Sequence, residues 1–231
     1  MVNKWKISAM LTEYFRDENN KRLNPATDFD IDDDGLITMK NGCVGHRQIA
    51  RGVLPFKFSD AHMDFSVDRM KLKSLEGCPM YVSGDFICSH NLLTSLQGAP
   101  LEASNLDCSH NLLTSLEGCT PDCFEIVCNN NLLTSLETCP PTEQLWATDN
   151  PFQHFRNTPS HIDEVTITWR KDLPLLGLLT VKTIHIQNPA DKESMEDLEQ
   201  IMNKYAGQGR RAMFACQKDL EDAGFGDNAR W

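Results

Sequence analysis

Three groups of side chains in this 231-residue chain have types and spacings that could do chemistry. The run Asp30-Ile31-Asp32-Asp33-Asp34-Gly35-Leu36-Ile37 offers carboxylates at alternate positions, a glycine at the sixth and an apolar residue at the eighth, the order of a calcium loop. The twelfth position is Asn41, whose amide cannot give the bidentate carboxylate. Pro25 before the run and LITM after it suit strands better than helices. The expectation is therefore a hairpin joining Phe29–Asp32 to Leu36–Met39 through an Asp34-Gly35 turn, with no metal. Cys119, Cys123, Cys128 and Cys139 could be assembled into a zinc set, but the C-x-x-C pairs of such sites are missing. His90 and His110 occupy equivalent repeat positions, about 5 Å apart if each lies beside a neighbouring strand. Asn130 takes the third place, so the pair is read as a solvated ladder. The serine and threonine rows (Thr94, Thr114, Thr134 and Ser95, Ser115, Ser135) have no histidine or aspartate placed to activate them. No phosphate loop is present. A chain without catalytic residues or cofactor is expected.

The elements that carry these groups follow from an internal repeat. FICSHNLLTSLQG begins at Phe86, LDCSHNLLTSLEG at Leu106 and IVCNNNLLTSLET at Ile126, each 20 residues after the last. A degenerate copy starts at Phe65, and LWATDNPFQHF follows at Leu145 after a 19-residue step. VTIT from Val165 and IHIQN from Ile184 read as further strands. In the second block Leu106, Cys108, Leu113 and Leu116 are the inward positions of a leucine-rich repeat, and Asn111 is its polar one. Asn91, Asn111, Asn131 and Asn150 fall where the chain turns off each strand, where an amide can bond backbone groups that a buried turn would leave unpaired. A single coil cannot bury its own apolar face, so the coils must stack with their strands in parallel. Twenty residues are too few for a strand and a full helix, so the convex side should be extended or 3₁₀ chain. Cys88, Cys108 and Cys128 share one inward position and Cys78, Cys119 and Cys139 another, which explains six of nine cysteines as packing.

The fold expected is a leucine-rich repeat solenoid with short parallel strands on its concave face and helical caps at both ends. Its divisions are an N-terminal helix and hairpin over 1–60, the solenoid over 61–187 and a helical cap over 188–231. In the first, Trp5, Ala9, Leu11, Tyr14 and Phe15 have near-helical spacing and could cover the first coil. In the last, DKESMEDLEQIMNKYAG puts Met195, Leu198, Ile201, Met202 and Tyr205 on one stripe, with Gly207 and Gly209 to stop it. A second helix carries Met213, Cys216 and Leu220 and closes at Gly224.

The net charge of -11 opposes direct binding to nucleic acid or to anionic membranes. The first residues, MVNKWKISAMLTEYF, lack the apolar core of a secretory signal, and no apolar run is long enough to span a bilayer. A cytoplasmic chain with reduced thiols is expected.

If Leu106 and Cys108 point inward, Asp107 between them points to the concave face. The same step gives one outward column of Ser66, Ile87, Asp107, Val127, Trp146, Thr166 and His185, flanked by Asp85, Asn105, Glu125 and Gln144. The inward positions barely change from block to block, whereas this column varies freely. Ile87, Val127 and Trp146 among Asp85, Asp107, Glu125 and Asp149 have the composition of an interface, apolar anchors with an acidic rim.

The phrases LLTSLEGCP and LPFKF, with the closing NKYAGQGRRAMFACQKDLEDAGFGDNARW, resemble leucine-rich repeat proteins encoded by large tailed bacteriophages. The likeness runs from about Leu36 to Trp231, and LPFKF (Leu54–Phe58) sits where those proteins enter their first coil. The resemblance implies an origin, with no assigned activity. It suggests a binding module for a host protein, of defence or metabolism, working in the cytoplasm of the infected cell. Two rivals stand beside it. One is an acidic mimic of nucleic acid that blocks a DNA- or RNA-binding protein. The other is an effector enzyme with a catalytic cysteine, for which only Cys216 lies after the repeats.

Overall fold

A computed structural model describes residues 2–188 and 195–231; Asp191–Ser194, read above as leading into the second helix, lies outside them. The chain forms two compact units, Met1–Leu112 with Gly118–Cys123, and Leu113–Glu117 with Phe124–Trp231. Both are stacks of short parallel strands, so the fold is a solenoid. Among the described residues no helix is long and apolar enough to cross a membrane.

The first unit opens with α1 (Lys4–Tyr14), started by Asn3, whose Oδ1 accepts the Lys6 amide at 3.0 Å. The stripe expected from Trp5 to Phe15 holds only at its end. Leu11 and Phe15 are fully buried, but Trp5 is 80% exposed and Ala9 is exposed as well. The reason is that Trp5 lies about 120° round the helix from Leu11 and so cannot share its buried face, while Phe15 is buried from the strand that follows. That strand, β1 (Phe15–Asp17), runs antiparallel to β4 (Cys43–Gly45). From β4 the sheet continues in parallel through β6 (Phe65–Ser66), β8 (Phe86–Ile87) and β9 (Asn105–Asp107). These strands are short because each carries one outward residue between two inward ones. Phe65 and Val67, Phe86 and Cys88, and Leu106 and Cys108 are all fully buried.

A second sheet lies in the same unit, in the order β2 (Phe29–Ile31), β3 (Leu36–Met39), β5 (Lys57–Ala61), β7 (Tyr81–Val82). β2 and β3 form the expected hairpin, closed by Asp32, whose carboxylate accepts the amides of Asp34 and Leu36, and by Gly35 at φ +85°. β5 and β7 pair in parallel, so part of the extended outer chain is itself sheet. LPFKF supplies alternation here: Phe56 and Phe58 are buried while Lys57 is exposed. The two rings join Phe15 and Phe65 in a cluster with ring centroids 4.8 to 6.2 Å apart. Gly77, at φ +92°, could not be another residue, since a Cβ there would lie 2.4 Å from the Phe56 carbonyl oxygen.

The second unit carries β10 (Cys123–Val127, its first residue in the first unit), β11 (Thr142–Trp146), β12 (Ile162–Thr168) and β13 (Thr183–Gln187), in that order. Both VTIT and IHIQN are strand, as their alternation predicts. A 3₁₀ turn, Leu176–Thr180, buries four consecutive residues between the last two strands. α2 (Glu196–Tyr205) buries Leu198 and Met202, and α3 (Met213–Asp222) buries Cys216 and Leu220. α2 lies along the free edge of β13: Asn203 accepts the Ile184 amide and donates to the Ile184 carbonyl, both at 2.7 Å, and Glu199 accepts the Ile186 amide. Near the C-terminus Asn228, almost fully buried, donates to the carbonyls of Leu173 and Arg170.

The four asparagines behave as one device. Asn111 Oδ1 accepts the Leu93 amide, and its Nδ2 donates to the carbonyls of Cys88, Cys108 and Ser109, at 3.0 to 3.1 Å. Asn91 does the same with Leu72, Val67, Cys88 and Ser89. In the second unit Asn150 serves Leu133, Cys128, Ala147 and Thr148, and Asn131 serves Leu113 and Cys128. Asn111→Ala removes the acceptor of the Leu93 amide and one donor from each of three carbonyls, of which Cys88 keeps Asn91 and Ser109 keeps the His90 amide. It is expected to cost roughly 2–4 kcal/mol, read as a lower urea midpoint with unchanged slope. A loss below about 0.5 kcal/mol would mean that water replaces the amide at no cost.

Candidate partner-binding face

The outward positions can now be placed one by one. In the first unit Ser66, Ile87 and Asp107 are register neighbours across β6, β8 and β9. Ile87 and Asp107 are half-buried, but Ser66 is 6% exposed; its short side chain sits in the shadow of longer neighbours. The acids here are engaged locally. Asp107 accepts from the amide and hydroxyl of Ser109, and Asp85 accepts from Asn105 Nδ2 at 2.8 Å.

In the second unit Glu125 and Val127, both half-buried, lie on β10. Trp146 closes β11 between buried Leu145 and Ala147, and 38% of it is exposed. The alternation thus turns the indole outward, as the 19-residue step requires. Asp149 is exposed just beyond, with its amide donated to Thr168 Oγ1 at 2.9 Å.

The strongest feature of this face is a cavity of about 350 Å³ lined by Gln144, Leu145, Trp146, Glu164, Thr166, His185, Gln187 and Glu199. Register produces it. Trp146, Thr166 and His185 are direct neighbours on β11, β12 and β13, and Gln144 neighbours Glu164. Thr166 is short and 6% exposed, so it leaves a depression between two ring-bearing side chains. Repeat arithmetic reaches Trp146, Thr166, His185 and Gln144. It missed Glu164, which the same stepping would have found had the flanking column been carried past Gln144, and Gln187, which lies two residues beyond His185 on β13. Glu199 comes from α2, and no repeat signal points to it.

The other groups with chemical potential are placed as follows. His90 and His110 stack, with ring centroids 4.2 Å apart and planes at 15°, and His90 Nδ1 lies 3.1 Å from Asp68 Oδ1. Among the described residues no three His, Cys, Asp or Glu side chains are grouped to hold a metal ion. In the acidic hairpin, Asp30 pairs with Lys40 at 2.9 Å, Asp33 with Lys4 at 2.7 Å, and Asp32 is occupied by backbone amides. Cys88, Cys108 and Cys128 are fully buried. Burial pushes the Cys88 thiol far above its ordinary 9.0 and the Cys139 thiol up to about 12. Compared with protein families, curated proteins and solved structures, the chain matches none.

Saturating calcium is expected to leave the melting temperature within about 1 °C, whereas a site held at a hundredfold excess over its Kd would add about 2.7 kcal/mol. A clear upward shift would establish the calcium loop. The thiols predict an alkaline limit. Their folded pKa values lie above the unfolded 9.0, so their contribution to stability is complete below pH 9 and is lost as pH rises towards about 12. The urea midpoint should therefore fall between pH 8 and pH 10.5. At pH 8 Cys88, Cys108 and Cys128 should resist a thiol reagent until the chain unfolds; ready labelling of any of them in the folded chain would contradict their packing role.

Proposed function

We propose that the chain is a protein-binding module of the leucine-rich repeat kind that holds its partner on the outward strand face and performs no chemistry. The observation that carries this reading is Trp146, an indole left 38% exposed on a strand whose two flanking residues are fully or nearly fully buried. A rigid aromatic on regular backbone offers large contact area at little entropy cost, the profile of an interface anchor. The helices at the two ends serve, in this reading, as covers for the terminal coils. The likeness to tailed-phage proteins makes a host protein, met in the cytoplasm of the infected cell, the partner to seek.

Two other readings are less favoured by particular contacts. A mimic of nucleic acid needs free, evenly spaced carboxylates, but Asp107 is bonded within its own turn and Asp85 to Asn105 on the next strand, and Val127, Trp146 and Thr166 interrupt the second unit's face. A cysteine-based enzyme needs an activated thiolate. Cys216 is fully buried, its Sγ 3.9 Å from Met202 Sδ, and burial holds its thiol up at about 12.

The test is to capture a partner from host lysate on the full chain, purify that protein, and titrate it against wild type and Trp146→Ala. The variant is expected to melt within about 2 °C of wild type. It should bind its partner roughly 30-fold more weakly, equivalent to about 2 kcal/mol. Unchanged affinity in a normally folded variant would remove the site from this face.

A further inference from the structure

The cavity beside Trp146 has a shape and charge that select its occupant. Its floor is Thr166. Its walls are the side chains one strand to either side, Trp146 and His185, whose backbones are two strand spacings apart, roughly 9.5 Å. The space between them suits one flat group lying against the indole. Two carboxylates line it as well, Glu164 from β12 and Glu199 from α2. Glu199 is not a swinging surface acid: one of its oxygens accepts the Ile186 amide, which fixes the carboxylate at the rim. Among the described residues no lysine or arginine lines the cavity, and the nearby Lys182 is paired with Asp163 at 2.7 Å.

An anion would meet two carboxylates here and, among the described residues, no lysine or arginine. A neutral apolar group would strip water from both carboxylates without replacing their hydrogen bonds. A cation is the occupant that answers both objections, and a planar cation also fits between ring-bearing walls. We propose that this slot takes the guanidinium of an arginine side chain presented by the protein partner, an inference that rests on the protein-binding reading above. Guanidinium stacks on an indole with its face and donates N–H groups from its edges, where the two carboxylates stand. An ammonium could satisfy the charge but not the flat slot. The volume of about 350 Å³ accommodates one long side chain and stands at the small end of cavities that take whole ligands.

The probes are N-acetyl-arginine methylamide, the same derivative of lysine and of citrulline, and unblocked arginine, each titrated into the full chain. The readout is the NMR signal of the Trp146 indole, one of four tryptophans, assigned with Trp146→Phe. Blocked arginine should shift it saturably, with a Kd on the order of a millimolar. Lysine should bind roughly threefold to tenfold more weakly, and citrulline, which keeps the shape but not the charge, should give no saturable shift. Glu164→Gln should weaken blocked arginine by a similar factor while the melting temperature stays put. A matching response to citrulline, no effect of Glu164→Gln, or no shift of the Trp146 signal would overturn the proposal. Markedly tighter binding of unblocked arginine would also overturn it, because the slot would then be recognising a free amino acid. The outcomes separate the two readings. If Trp146→Ala loses its partner but citrulline equals arginine, only the arginine assignment fails. If arginine binds but Trp146→Ala keeps its partner, the protein-binding reading of this face fails.

Discussion

A chain that leaves each strand by turning into the interior must find partners for backbone groups that water cannot reach, and the rest of the structure depends on how that is met. Asparagine meets it because its side chain is one acceptor and two donors in a plane, at the right reach from the turn. Asn111 takes the amide of Leu93 in the preceding coil and returns its own N–H groups to carbonyls on both coils. Aspartate could not donate, and serine has neither the reach nor the second donor. Each asparagine therefore does two jobs: it closes its own turn and sets the spacing to its neighbour. The residue before it bears the geometric cost. His90, His110, Asn130 and Asp149 all sit at φ between +52° and +55°, a conformation worth about 1–2 kcal/mol of strain to most residues. At the degenerate first copy the equivalent residue is Arg69, also at φ +55°, and the asparagine's own place is taken by Met70, which is buried and apolar.

The same problem returns at the last strand, with a different solution. Among the described residues no strand pairs with β13 on its outer side, so its outer amides and carbonyls would be open to any passing strand. α2 answers with side chains instead of backbone. Asn203 takes the donor and acceptor of Ile184, and Glu199 takes the Ile186 amide. An amide reaching backbone thus holds coils together in one place and covers a strand edge in another.

How much of this was legible in the sequence depends on whether a feature repeats. Strand positions, inward leucines, the asparagines and the outward placement of Trp146 recur with the repeat, so one block teaches the next. The hairpin at Asp34-Gly35 was legible for another reason: its turn chemistry is local. Features made by a single pairing were not visible. Trp5 was expected to be covered, yet near-helical spacing does not say which side of the helix meets a neighbour, and the side buried in α1 is that of Leu11 and Thr12. The sheet through Lys57–Ala61 and Tyr81–Val82, the contact of Asn228 with Leu173, and the arrival of Glu199 beside Trp146 each join segments with no shared pattern.

The candidate site shows how a fold this constrained leaves room for function. Inward positions are fixed by stacking, and the turns by the ladder, so an outward residue can change size without disturbing either. A large side chain next to a small one next to another large one, as in Trp146, Thr166 and His185, is enough to make a cavity on an otherwise regular strand face. Its charge comes from outside the column, from Glu164 beside it and from Glu199 on the helix. Glu199 is where the two requirements meet. The carboxylate that lines the slot is held there by the same hydrogen bond that protects the edge of β13. A residue recruited to finish the sheet thereby becomes a fixed negative charge beside the exposed indole of Trp146. The end of the solenoid, where structure most needs a helix, is for that reason also the place where a cation is best received.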